Sequence, residues 1–170
     1  ETNLGDVVCD AFRAAAGAYL EGEGLGSMPV VAVENGGGIR EAFARGMVSM
    51  GNLVATFPFS NTVVLKKITP RVLRDLFEGS FASMAGQDAQ TGMLLQEAVS
   101  GGFLQMAGCD VVCDPNAEAG ARVQEITLEG AAEPLDLGDD ETPLLLVSNS
   151  YVMAGGDSYA AVAGIDPMAD

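Results

Sequence analysis

The sequence predicts an α+β fold, a single domain in which a mixed β-sheet packs against helices. Three observations predict it. Apolar residues recur at helical spacing in two stretches. Short β-branched apolar runs of strand length lie between and after them. The two kinds are interspersed without strict strand–helix–strand alternation, which argues against a doubly wound parallel sheet. A chain of 170 residues suits one domain and can bury a sizeable core without disulfide or metal staples.

Residues 4–20 read as a helix, because Leu4, Val8, Ala11, Phe12, Ala15 and Tyr19 share one face. Asn3 is the expected N-cap, Asp6 suits the positive end of the helix, and the glycines at 22–26 end it. Residues 29–33, rich in Val, predict a buried strand leading into Asn35-Gly36-Gly37-Gly38-Ile39-Arg40. Residues 51–57 suit one or two helical turns, and 62–68 a strand. Thr69 as N-cap and Pro70 at the first helical position start a second helix, with Val72, Leu73, Leu76 and Phe77 inward. Within the Gly-, Ser-, Ala- and Gln-rich stretch 79–100, residues 93–99 suit a helix. Residues 109–113 and 122–128 predict a strand pair joined by the turn Asp114-Pro115-Asn116. An acidic loop at 136–141 precedes a buried strand at 144–147 and then Asn149 to Tyr159, which contains Gly155-Gly156.

The net charge of −16, from 24 acidic and 8 basic residues, argues against a nucleic-acid partner, since no basic stripe forms. Solubility or adaptation to salt explains the acidity; cation binding by an acidic patch is the alternative. No apolar run reaches the roughly 18 residues of a membrane span. Absence of an initiator Met at Glu1 and of a leader suggests an excised fragment. In a strand, Cys109 and Cys113 would share a face about 13 Å apart, beyond disulfide reach. Buried thiols are the expectation, with a bridge from Cys9 to either left open, and cysteine usage does not fix the compartment.

There is no histidine. That removes Ser-His-Asp and Cys-His nucleophile pairs and His-containing zinc sites. Asp139-Asp140-Glu141 lacks the alternating spacing of a calcium loop and reads as solvated. Three consecutive glycines after a buried strand suggest a backbone that something approaches closely. Asn35 beside them offers both donor and acceptor, and Arg40 a planar fork suited to phosphate. A flexible turn with an exposed Arg is the plainer alternative. Phe57-Pro58-Phe59 sits in a polar turn and offers either an exposed ring or a core residue. Asp157, after two glycines and between two tyrosines, suits either a vicinal diol or a helix cap.

Five segments, in order, resemble the C-terminal domain of 5′-nucleotidases and their UDP-sugar hydrolase and 2′,3′-cyclic-nucleotide phosphodiesterase relatives. They are Glu1-Thr-Asn-Leu-Gly-Asp6, Asn35-Gly-Gly-Gly-Ile-Arg40, Phe57-Pro-Phe-Ser-Asn61, Gly102-Phe-Leu-Gln105 and Asn149-Ser-Tyr-Val-Met-Ala-Gly-Gly-Asp-Ser-Tyr159. The resemblance spans nearly the whole chain and implies the fold of that domain. It further implies an N-terminal metallophosphoesterase domain carrying two divalent metal ions, while this chain grips the nucleotide and needs no cofactor of its own. Catalytic residues would then lie outside this chain, and the isolated fragment would be inactive. Phe59 and Tyr151 would sandwich the base, Tyr151 standing where Phe is usual. Asn35 would bond the base, Arg40 the ribose and phosphate, and Asp157 the ribose hydroxyls. Gly37, Gly38 and Asn61 complete the expected substrate contacts. Ser60 and Ser158 stand where Gly is common. An extracytoplasmic location follows from the same resemblance. The alternative is a stand-alone nucleoside-binding or surface-interaction module without catalysis.

Overall fold

The computed structural model describes residues 2–25, 28–82 and 101–169. The helix expected at 93–99 lies outside them. The first helix, α1 (Asn3–Glu23), is capped by Thr2, whose side chain accepts the Gly5 N–H at 3.1 Å. The cap is therefore Thr2 and not Asn3. Both residue types cap well, and Thr2 is selected because its own N–H reaches Gln105 Oε1 at 2.6 Å. Gly24, at φ 65°, closes the helix with its N–H on the carbonyls of Glu21 and Leu20.

Strand β1 (Val30–Asn35), helix α2 (Met50–Thr56), strand β2 (Val63–Ile68) and helix α3 (Pro70–Ala82) follow. Then come strands β3 (Leu104–Ala107), β4 (Cys109–Cys113), β5 (Val123–Leu128) and β6 (Leu144–Asn149). Short helices α4 (Ser150–Met153) and α5 (Ala160–Ala163) and strand β7 (Pro167–Ala169) end the chain. The main sheet has the order β3-β1-β6-β2-β7 and is mixed: β1 and β6 are parallel, the other pairs antiparallel.

Successive strand residues face opposite sides. On one side of the sheet, Cys9, Ala16 and Leu20 of α1 pack on Ala32, Leu145 and Val147. On the other, Leu73, Leu76 and Phe77 of α3 pack on Val31, Val33 and Leu146. The central strands β1 and β6 are buried on both faces, which is why they read as unbroken apolar runs. Val72, expected inward, is only partly buried at the margin.

The β4–β5 hairpin forms as expected, but its connection is longer than a three-residue turn. Asp114 Oδ1 accepts the Asn116 N–H, and the loop closes only at Asp114 N–H to Arg122 O, 2.8 Å. Glu78 of α3 holds this loop, accepting the N–H groups of Val123 at 2.7 Å and Gly120 at 3.0 Å. No disulfide joins the cysteines; Cys9 and Cys109 are buried and Cys113 only partly so.

Thr69 precedes α3, but its hydroxyl has no partner among the described residues and does not cap. The acidic loop partly replaces that cap. The Arg71 N–H donates to Asp139 O at 3.1 Å, and the Arg71 guanidinium pairs with Asp140. The Asp139 carboxylate, held below the usual range by hydrogen bonds from Thr142 and Glu141, orders the loop itself. Among the described residues, no three acidic, Cys or His side chains gather as metal ligands. No helix among them is long and apolar enough to cross a membrane.

Candidate functional site

Asn35 and Asn149 are the last residues of the two parallel strands. Ligands in sheets with parallel strands favour this carboxyl edge, because the loops diverge there. From β1 the chain enters a 3-10 turn, Gly36–Gly38. Gly36 and Gly37 donate their N–H groups to Phe103 O at 2.8 Å and Gly101 O at 2.7 Å, anchoring the turn. A Cβ at Gly38 would overlap Glu34 Oε1, so close approach explains this glycine without any appeal to flexibility. Arg40 is tied to α2 by its N–H on Thr56 O at 2.9 Å, and its guanidinium donates to Gly37 O at 3.1 Å.

A chain of polar groups links the two strand ends. Val152 N–H donates to Asn149 Oδ1 at 2.8 Å, the N-cap bond of α4. Asn149 Nδ2 then donates to Glu34 Oε2 at 2.8 Å and to Asn35 Oδ1 at 2.9 Å. Asn35 Nδ2 donates to Asp157 Oδ2 at 2.8 Å, and the Tyr151 hydroxyl donates to Asp157 Oδ1 at 2.9 Å. Asp157 thus holds two bonds and keeps acceptor sites for a ligand, since a carboxylate offers about four. Glu34 is 4% exposed, and burial pushes its carboxyl up to about 7 against a smaller lowering by Asn149.

The second loop is held from below. Lys66, 4% exposed on β2, donates to Met153 O at 2.9 Å and Val162 O at 2.8 Å, bracketing the loop that carries Asp157. Burial lowers the Lys66 ammonium and nearby Asp166 raises it in part. The two tyrosines separate by role. Tyr159 is 2% exposed, its hydroxyl bonded to Gly102 O, whereas Tyr151 is 46% exposed. Tyr151 lies over Gly156, where a Cβ would come within 2.5 Å of the ring.

Asp157 (φ 51°) and Ser158 (φ 72°) are the non-glycine residues at positive φ among those described. Ser60 is not one of them, so its departure from Gly strains nothing. At Ser158 a left-handed backbone costs an L-residue about 1–2 kcal/mol, while Gly costs roughly 0.5–1 kcal/mol in entropy. Ser158→Gly should therefore stabilise the chain by about 0.5–1 kcal/mol, read as a higher Tm; a lowered Tm would refute the strain.

All eight expected residues, Asn35, Gly37, Gly38, Arg40, Phe59, Asn61, Tyr151 and Asp157, line a single cavity of about 390 Å³, together with Gly101. Phe59 is 54% exposed, so neither ring is a core residue. Sequence reading misses Gly101, Glu34 and the linking role of Asn149. Gly101 adjoins a segment that carries the resemblance, and Asn149 opens another, but Glu34 gives no signal in sequence because its partner is 115 residues away.

The family model for "5′-nucleotidase, C-terminal domain" matches residues 1–164. The trifunctional nucleotide phosphoesterase protein YfkN of Bacillus subtilis is 29% identical over 161 residues, covering 94% of this chain and 10% of that protein. Human 5′-nucleotidase is 27% identical over 171 residues, 95% of this chain and 27% of that protein. The crystal structure of a 5′-nucleotidase precursor from Thermus thermophilus superposes with a TM-score of 0.74 at 24% identity, covering 98% of this chain and 29% of that one. The chain therefore spans about a tenth to under a third of the length of these three relatives. With the family model matching residues 1–164, nearly the whole length, the chain belongs to the family of 5′-nucleotidase C-terminal domains.

Proposed function

We propose that this chain is the nucleotide-gripping, specificity-setting domain of a 5′-nucleotidase-type phosphoester hydrolase. The convergence of the eight residues on one cavity carries the reading. Phe59 and Tyr151, each about half exposed at its rim, offer flat faces for a base; stacking contributes about 1–3 kcal/mol per base. Asn35 keeps one amide N–H beyond its bond to Asp157 and presents it to the base edge. Asp157 accepts the ribose hydroxyls, and Arg40, the cationic residue among the lining groups, meets the ribose and phosphate. Gly37, Gly38 and Asn61 shape the wall between them.

Hydrolysis belongs, in this reading, to two divalent metal ions in an N-terminal metallophosphoesterase domain; two metals stabilise the attacking and leaving oxygens of an in-line displacement. This chain binds and orients. The net charge of −16 opposes an anionic ligand, but exposed charges beyond about 8–10 Å are screened at physiological salt, so Arg40 governs locally. We place the whole protein outside the cytoplasm.

Titration of the 170-residue chain with adenosine, uridine and AMP, followed by NMR, tests this. Phe59→Ala and Tyr151→Ala should each weaken binding roughly 5- to 150-fold, the equivalent of about 1–3 kcal/mol, with the fold intact by circular dichroism. With Mn²⁺ or Zn²⁺ supplied, the chain should release no phosphate from AMP. Unchanged affinity in both variants would sink the clamp, and phosphate release would sink the division of labour.

A further inference from the structure

A second cavity of about 340 Å³ adjoins the first and shares Gly38, Phe59 and Asn61 with it. It falls at the lower end of small-molecule sites, about 300–1,000 Å³. Nine of its fourteen lining residues are apolar side chains, among them Val8 and Phe12 of α1, Leu53 of α2 and Val63 of β2. Glu34 is the one ionisable side chain among the fourteen. Its Oε2 accepts from Asn149, a neutral amide, while Oε1 has no hydrogen bond to a described residue. Glu34 forms no ion pair within the described chain, unlike buried Glu78, which has Arg122 nearby.

A carboxylate buried without a counter-charge is costly, and the cost is relieved either by a proton or by a cation brought to it. The surrounding groups say what form the cation should take. A bare metal ion needs several oxygen ligands, commonly more than one of them a carboxylate, and Glu34 is the one carboxylate in a mostly apolar, open cleft. A neutral apolar molecule would leave the carboxylate unpaired. We propose that this cavity is a binding site for a small hydrophobic amine, its ammonium on Glu34 and its hydrocarbon body against the α1–α2 wall. The site does not depend on the nucleotide reading.

Protonation supplies a second signature. Glu34 titrates near 7. Of the cavity wall, Asn149 of β6, Gly38, Asn61 and Thr62 of the loops and the apolar residues of α1 and α2 carry no ionisable side chain, and opposite Glu34 in the sheet stands Gln105 of β3, a neutral amide. Hydrogen bonds connect Glu34 to one further ionisable group, Asp157, through Asn149 and then Asn35. The ammonium should therefore bind above pH 7 and be released as Glu34 takes up a proton below it.

The test uses benzylamine, 2-phenylethylamine and cyclohexylmethylamine, each beside the alcohol of the same skeleton, titrated into the 170-residue chain by NMR. Salt is held near 0.15 M to screen the general negative surface. At pH 8 at least one amine should bind at least tenfold more tightly than its alcohol, shifting Val8, Leu53 and Val63 methyls. The preference should vanish at pH 5.5 and in Glu34→Gln, where the alcohol affinity, unchanged, shows the cavity intact. Equal affinity of amine and alcohol in the wild type, survival of the preference in Glu34→Gln, or no saturable binding by any probe would overturn the site.

Discussion

Lys66→Met is expected to cost about 2–4 kcal/mol of stability and, with it, much of any nucleoside affinity. The Lys66 ammonium donates to Met153 O and Val162 O from a site 4% exposed. Hydrogen bonds from a charged donor contribute about 1.5–3 kcal/mol each, so two make roughly 3–6 kcal/mol. Part is returned, because the variant no longer buries a charge; the downward pull on the ammonium shows that penalty is present. Methionine keeps the apolar stem, so the loss reports on the ammonium and not on a cavity. Urea denaturation measures the first effect. The second follows from placement: Met153 and Val162 flank the loop carrying Asp157, so freeing its ends should blur the pocket wall. A variant as stable as the wild type would show that the two carbonyls need no such donor.

Glu34→Gln is expected to stabilise the chain at pH 8 and leave it nearly unchanged at pH 4.5. The carboxyl titrates near 4.5 when unfolded and at about 7 when folded. Below the lower value both states hold the proton and burial costs nothing. As pH rises towards 7 the unfolded state ionises first, so this group's contribution to stability is lost across that window. The separation corresponds to about 3 kcal/mol, the upper limit of the gain from an uncharged amide at pH 8. Other carboxylates titrate in the same range, so the informative quantity is the wild-type minus variant difference at each pH, in which they cancel. A difference that stays flat from pH 4.5 to pH 8 would contradict the assigned burial.

Much of this architecture is legible in the sequence, and what is legible has a physical signature. Residues 29–33 and 144–147 read as buried strands because β1 and β6 are covered on both faces, leaving unbroken Val and Leu runs. The α3 stripe follows from one-sided packing on the sheet. On α1 the buried stripe is Gly5, Val8, Cys9, Ala16 and Leu20, so of the expected face Val8 is buried while Ala11 and Ala15 are exposed, because the small Ala and Gly residues around the helix leave its apolar face poorly marked in sequence. Strands β3 and β7 escape a sequence reading because four and three residues at sheet edges are too short to express a period. The cap at Thr2 is not separable from Asn3 in sequence, because Gln105, its selecting partner, lies 103 residues away. The pocket residues are nameable through segment resemblance, not through local chemistry: Asn35, Phe59 and Asp157 each have an unremarkable alternative until the fold brings them together. Glu34 has no such segment to carry it.

The bond from Val152 N–H to Asn149 Oδ1 reaches further than the helix it caps. A backbone amide cannot reverse, so it fixes which end of the Asn149 amide faces Asn35, and Asn149 in turn fixes Asn35. Turning Asn35 over would set its oxygen against the Asp157 carboxylate and its nitrogen against that of Asn149. An isolated asparagine is ambidextrous and greets either edge of a heterocycle by rotating half a turn. This one is locked in a single sense, so under the proposed function a ligand presenting a lone pair to its free N–H would be accepted and one presenting a hydrogen there turned away.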